Sequence, residues 1–198
     1  MENQMIIGVI GGVGSGKSTV LDYLETQYCA EIIKSDDVAK ELMEPGKEIF
    51  NRIAEAFSEV IVDGMIQKEK MASLIFSNEE RRKQLNEITH PATIQEIKKR
   101  IKESNADIVV VESALLIGTG IEDDCDEIWF VFCEREKRIQ RLMENRGYSR
   151  EKSESIIDKQ PADEEYNLVA DEFIDNSYSA TDTQERIDLI LSTLPCGF

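Results

Sequence analysis

Met5-Ile6-Ile7-Gly8-Val9-Ile10-Gly11-Gly12-Val13-Gly14-Ser15-Gly16-Lys17-Ser18-Thr19 joins an uncharged apolar run to a glycine cluster and then to a helix-forming stretch. The run Met5–Ile10 reads as a strand covered on both faces. Lys17–Tyr28 reads as the helix that follows. Between them, Gly11 to Ser18 fits Gly-x-x-x-x-Gly-Lys-Ser, the phosphate-binding loop, in the strand–loop–helix setting that this loop requires. Glycines let the backbone curl so that successive N–H groups face one oxyanion. The helix start adds unpaired N–H groups and a partial positive charge. Gly12, Val13, Gly14, Ser15, Gly16, Lys17, Ser18 and Thr19 are therefore the candidate nucleotide-binding set. Lys17 is expected to reach the β- and γ-phosphates and the Ser18 hydroxyl to ligate Mg²⁺. A flexible glycine turn accounts for neither Lys17 nor Ser18.

Working outward, four more apolar runs read as strands: Glu31–Lys34, Ile108–Glu112, Glu127–Cys133 and Glu172–Asp175. Helical patterns alternate with them, which argues for a doubly wound α/β fold. Residues 36–107 are different and read almost wholly helical, as an insertion between the second and third strands. Lys47–Phe57 spaces Ile49, Ile53 and Phe57 by four. Glu79–Thr89 is a further helix, and Pro91, best tolerated in a first turn, places a new helix start near His90–Pro91. Pro45–Gly46 and Asp63–Gly64 mark turns. The last helix carries Ile187, Ile190, Leu191 and Leu194 on one face, for packing on the sheet or for an oligomer contact. Trp129, inside an apolar run, reads as core.

The chain has 198 residues, which suits a single domain. Its net charge of −17 argues against binding nucleic acid or anionic lipid through phosphate contacts. Cys29, Cys125, Cys133 and Cys196 form no Cys-x-x-Cys pair and the single His90 has no cysteine nearby, so no structural zinc site is expected. No basic-flanked leader and no long apolar span are legible, and a reducing cytoplasm is the expected location.

The loop specifies a nucleoside triphosphate but not a reaction. Without Asn-Lys-x-Asp the GTPase reading weakens, and without Leu-Ser-Gly-Gly-Gln the transporter reading does; a small-molecule kinase is the natural remaining class. Asp36 and Asp37 follow the second strand, at the sheet end where ligands bind. Asp36 can accept or orient the proton of an attacking hydroxyl, or cap the helix that follows. Glu112 ends the third strand, either as an acidic residue that holds Mg²⁺ through water or as a polar strand end. Arg135, Arg138, Arg141 and Arg146 crowd the helix after the fourth strand, with Arg138 and Arg141 on one face. The cluster is expected to supply catalytic charge through Arg141 and Arg146. A solvated face paired with Glu134, Glu136 and Glu144 is the plain alternative.

The ordered series Ser35-Asp36-Asp37-Val38-Ala39, Glu44-Pro45-Gly46, Asp63-Gly64, Ile75-Phe76, His90-Pro91, Ala114-Leu115-Leu116, Arg146-Gly147-Tyr148-Ser149, Gln160 and Ala170-Asp171-Glu172-Phe173-Ile174-Asp175-Asn176 follows the phosphate loop. With it, the chain resembles the dephospho-CoA kinase family over nearly its whole length. The resemblance implies a P-loop NTPase fold of three layers, with a five-stranded parallel sheet flanked by helices. It also implies a single kinase domain with core 1–36 and 106–198, a CoA-side helical insertion at about 37–105 and a lid at about 140–165. It implies transfer of the ATP γ-phosphate to the 3′-hydroxyl of dephospho-CoA, with Asp36 at the base position and Asn176 near the adenine. ATP and Mg²⁺ are the implied cofactors and dephospho-CoA the partner, in a monomer or small homo-oligomer. Departures fall at Lys34, Ala114, Gly118, Asn145, Ile156 and Tyr166. They keep open a kinase acting on another, nucleoside-like hydroxyl, or a non-catalytic nucleotide binder.

Overall fold

The loop-bearing strand lies at the centre of a five-stranded parallel sheet in the computed structural model, which describes residues 4–114 and 116–194. Leu115 and Cys196, both invoked above, lie outside the described residues. In chain order the elements begin β1 (Met5–Ile10), α1 (Lys17–Tyr28), β2 (Glu31–Lys34), α2 (Ser35–Leu42), α3 (Glu48–Ala56), β3 (Ile61–Val62), β4 (Met65–Ile66), α4 (Lys68–Ser77) and α5 (Glu79–Glu103). They continue β5 (Ile108–Glu112), β6 (Glu127–Phe132), α6 (Arg135–Arg146), α7 (Arg150–Ile157), α8 (Asp163–Asn167), β7 (Glu172–Asp175) and α9 (Ala180–Thr193). The sheet order is β2-β5-β1-β6-β7. Register aligns Val9 with Glu112 on one side and with Trp129 on the other, and Val131 with Ile174. Parallel strands in this register finish at one edge, so the loop after Ile10, the Glu112 side chain and the turn after Asp175 emerge together.

Two compact units make up the chain, Met1–Ile32 with Ser104–Phe198, and Ile33–Glu103. In the first, Ile7, Val9, Ile108, Val110, Trp129, Val131 and Ile174 form one face of the sheet. That face packs on Val20, Leu21 and Leu24 of α1 and on Ile187, Ile190 and Leu191 of α9. The terminal stripe is therefore sheet packing, with Leu194 at its margin. Each fully buried aliphatic chain there contributes about 1.5–3 kcal/mol. Trp129 is completely buried, and its indole N–H donates to Glu127 Oε2 at 2.7 Å.

The second unit has a core of its own, built from Ile49, Ile53, Phe57, Val60, Met71, Ile88 and Ala92. Arg81 ties it together: its guanidinium lies 4.8 Å from the Phe57 ring centroid and donates to Ala56 O at 3.0 Å. One expectation is corrected here. No helix begins at His90–Pro91; α5 runs unbroken for 25 residues with Pro91 inside it. Buried Ile88, Thr89, Ala92 and Thr93 bracket the proline, so tertiary packing outweighs the missing N–H. Arg52 Nη1 donates to Ile88 O at 3.3 Å, giving a side-chain partner to a carbonyl of the disturbed turn. The stretch is otherwise almost wholly helical, as expected, with one addition: β3 and β4 form a small antiparallel hairpin about the Asp63–Gly64 turn. Its two turn residues, Asp63 at φ 51° and Gly64 at φ 75°, adopt the left-handed pair that matches strand twist.

Ile53 sits at the centre of this core with about 1% of its surface exposed. Replacing it with Ala is expected to cost about 2–5 kcal/mol, measured by urea unfolding of the full chain. A loss under 1 kcal/mol would show that the second unit does not depend on this cluster.

Candidate active site

The phosphate loop is held from behind. Gly16 adopts φ 88° at the start of α1, a conformation open to glycine at little cost, and a Cβ there would overlap the Asn176 amide. That amide donates to Ser15 O at 2.8 Å and Gly16 O at 3.3 Å, while Asn176 Oδ1 accepts from the Thr183 hydroxyl at 2.9 Å. Arg141 Nη1 donates to Ser15 O at 3.0 Å and Gly14 O at 3.4 Å, and its Nη2 to Asn176 O at 2.9 Å. Arg138 Nε donates to Val13 O at 3.0 Å. The carbonyls of residues 13 to 16 are thus taken by side chains behind the loop. Ser15 N–H closes a turn onto Gly12 O at 3.2 Å, and the N–H groups of Gly14, Gly16 and Lys17 are left for an anion. The Ser15 hydroxyl is buried with no hydrogen-bond partner, a polar atom left available in the loop itself.

Lys17 Nζ donates to Gly11 O at 2.9 Å and lies 3.5 Å from Glu112 Oε1. Ser18 and Thr19 expose their side chains on the first turn of α1. Ser18 and Glu112 offer a hydroxyl and a half-buried carboxylate, the hard oxygen donors that suit Mg²⁺ with its retained waters. The residues fit that ion.

The other predicted residues separate. Arg141 joins the loop. Arg146 is exposed on the last turn of α6, ahead of the Gly147 cap. Arg135 pairs with Asp158 at the surface. Val13 is engaged through its N–H, which donates to Gln160 Oε1 at 2.8 Å. Asp36 lies in the first turn of α2 with its side chain exposed, and the helix starts at Ser35 on Lys34, so the capping alternative is not realised. Asp37 is bound to Lys40 at 2.7 Å, and this hydrogen bond holds its carboxyl below the usual range. Cys133, at the end of β6, is pushed up by burial and stays a packing thiol.

Sequence reasoning underrated Arg138 and missed Asp163. Arg138 is about 5% exposed and shares an ion pair of 3.3 Å with Asp163 Oδ1. Its spacing from Arg141 was visible; nothing in the residues around Asp163 pointed to it. Behind them, Ile139, Leu142 and Ile157 pack with Val13 and Tyr148, so α6 and α7 share a small core with the loop.

A model of the dephospho-CoA kinase family matches residues 5–182. The chain is 38% identical over 191 residues to a dephospho-CoA kinase of Carboxydothermus hydrogenoformans, covering 94% of this chain and 92% of that relative. It is 37% identical over 190 residues to one of Geobacter sulfurreducens, covering 93% and 96%. The chain belongs to the dephospho-CoA kinase family. Among solved structures, TT1252 from Thermus thermophilus superposes with a TM-score of 0.83 at 28% identity, covering 98% of this chain and 99% of that one. Shikimate kinase from Acinetobacter baumannii shares the fold at a TM-score of 0.56 and 18% identity, covering 98% and 97%. Family membership makes the chain an ATP-dependent kinase. No helix among the described residues is long and apolar enough to cross a membrane.

In this dephospho-CoA kinase relative, Asn176 holds two loop carbonyls from a buried position. Asn176→Ala leaves those carbonyls and the Thr183 hydroxyl without their partner, at a cost of about 1–3 kcal/mol. Thermal unfolding with and without ATP is expected to show both a lower Tm and a smaller ATP-induced rise. An unchanged rise would separate Asn176 from nucleotide binding.

Proposed function

We propose that the chain transfers the ATP γ-phosphate to the 3′-hydroxyl of dephospho-CoA, releasing CoA and ADP. The preorganised loop carries this reading: its carbonyls are held outward by Arg138, Arg141 and Asn176, with Lys17 on the following turn. The family match over residues 5–182 supports the acceptor. In this reading the N–H groups of Gly14, Gly16, Lys17 and Ser18 bind the phosphates, with the Ser15 and Thr19 hydroxyls beside them, and the Lys17 ammonium draws charge from the transferring group. Asp36 orients the 3′-hydroxyl and takes its proton as the new P–O bond forms and the bond to ADP breaks. Arg141 and Arg146 add positive charge, and Asn176 fixes the nucleotide side. Mg²⁺, when bound, neutralises phosphate charge, and Ser18 with Glu112 through water are the residues that would hold it. Residues of about 37–105 serve the CoA side and about 140–165 act as the lid. The net charge of −17 argues against a nucleic-acid or anionic-membrane partner, and in this reading the protein is cytoplasmic and works as a monomer or small homo-oligomer.

The test is ADP release with ATP, Mg²⁺ and dephospho-CoA, run against adenosine and against no acceptor. Turnover confined to dephospho-CoA, with a 3′-phosphate in the product by mass and NMR, is the expected result. Turnover with adenosine alone would move the acceptor to a nucleoside. Asp36→Asn is expected to lower kcat roughly a hundred- to ten-thousandfold with ATP affinity retained, and full activity in that variant would remove Asp36 from the mechanism. Lys17→Ala is expected to weaken ATP binding and turnover together.

A further inference from the structure

Arg138 is the most deeply buried arginine of α6, and its side-chain hydrogen bonds run to the loop and to the segment after α7. Its Nε donates to Val13 O at 3.0 Å, its Nη2 to Gln160 Oε1 at 2.9 Å, and its Nη1 faces Asp163 Oδ1 at 3.3 Å. Gln160 Oε1 also accepts the Val13 N–H at 2.8 Å. Val13 is thereby gripped through both of its backbone polar groups, its carbonyl by the guanidinium and its N–H by the amide that the same guanidinium holds. A Cβ built on Gly12 would overlap this guanidinium, whose atoms are its three nearest neighbours. The second glycine of the loop is thus the slot in which Arg138 lies.

We propose that Arg138 and Gln160 are positioning residues for ATP binding: they lock the Val13 turn of the phosphate loop and couple it to residues 160–163. Both act through the loop rather than on the substrate. A guanidinium is suited to this place because its planar fork donates in three directions at once. A lysine ammonium has neither the reach nor the directionality. Gln160 is suited because one carbonyl oxygen accepts two donors, which a glutamate carboxylate also does. The coupling is reciprocal: whatever steadies the Val13 turn steadies residues 160–163, and the reverse. The proposal rests on the reading that this loop binds ATP, and needs no assumption about the acceptor.

The test is the ATP dissociation constant of the full-length protein by calorimetry, without acceptor, beside thermal unfolding and the KM for dephospho-CoA. Arg138→Met removes three charge-assisted hydrogen bonds, and Gln160→Met removes one of them together with the Val13 N–H bond; each is expected to weaken ATP binding roughly tenfold. The double variant is expected to be little worse than either single one, because the contacts form one unit. Gln160→Glu is expected to stay near wild type and Arg138→Lys to stay weak. Gly12→Ala is expected to match Arg138→Met, and the two together to add little. The KM for dephospho-CoA is expected to hold within about twofold, a split that simple destabilisation does not produce. Folded variants with unchanged ATP affinity, or a lower Tm without weaker binding by the folded fraction, would overturn the positioning role. Should Arg138→Met fail to fold, Gln160→Met decides alone, since it leaves the guanidinium on Val13 and Asp163. Absence of ATP binding by the wild type would overturn the functional reading and this proposal together, whereas equal binding by wild type and variants overturns this proposal only.

Discussion

The structure of the site depends on where four carbonyls point. In a loop of this length, N–H and C=O groups alternate, and a hollow lined with N–H groups requires that the oxygens be taken up elsewhere. Here Arg138, Arg141 and Asn176 take up the carbonyls of Val13, Gly14, Ser15 and Gly16. Two come from the helix after β6 and one from the turn after β7. The parallel register matters for this reason, since it delivers those two elements to the edge where β1 ends. Binding then requires little reorganisation, because the dipoles are aimed before the anion arrives.

The same arrangement explains the α1–α9 layer. Asn176 reaches the loop only if β7 and the start of α9 are fixed against β1. The Thr183 hydroxyl orients the amide from α9, and Ile187, Ile190 and Leu191 hold that helix on the sheet. Packing on one face and polar geometry at the edge are therefore one system. A cavity under α9 would reach the loop through Thr183 and Asn176 rather than through the sheet.

Much of this was legible in the sequence, for definite reasons. β1, β5 and β6 are nearly continuous apolar runs, so burial on both faces marked them without alternation. The loop announced itself because its chemistry admits few residue types. The α5 error had a physical origin: Pro91 is a local signal for a helix start, and only the buried residues on either side of it override that signal. The hairpin escaped because its strands are two residues each, too short to show a period. Arg138 was visible as a charge but not as a buried clamp. Arg135 lies on the same helix and pairs with Asp158 at the surface, so composition could not tell the two apart. Asp163 and Gln160 lie more than twenty residues from Arg138, and contacts at that separation leave no periodic trace.

The charge balance of the site follows from the kind of partner each cation has. Arg138 faces a carboxylate, Asp163, and Lys17 faces Glu112. Arg141 differs: its hydrogen bonds go only to backbone carbonyls, and among the described residues it has no acidic partner. Carbonyl dipoles satisfy its donors without cancelling its charge. A full positive charge thus stays beside the loop in a chain whose net charge is −17. At physiological ionic strength the Debye length is about 8 Å, so distant carboxylates are largely screened while this guanidinium is not. An acidic protein can receive a polyanion on these terms. What counts is the local unneutralised cation held at hydrogen-bond distance from the loop carbonyls, and the overall sign of the surface governs only the approach.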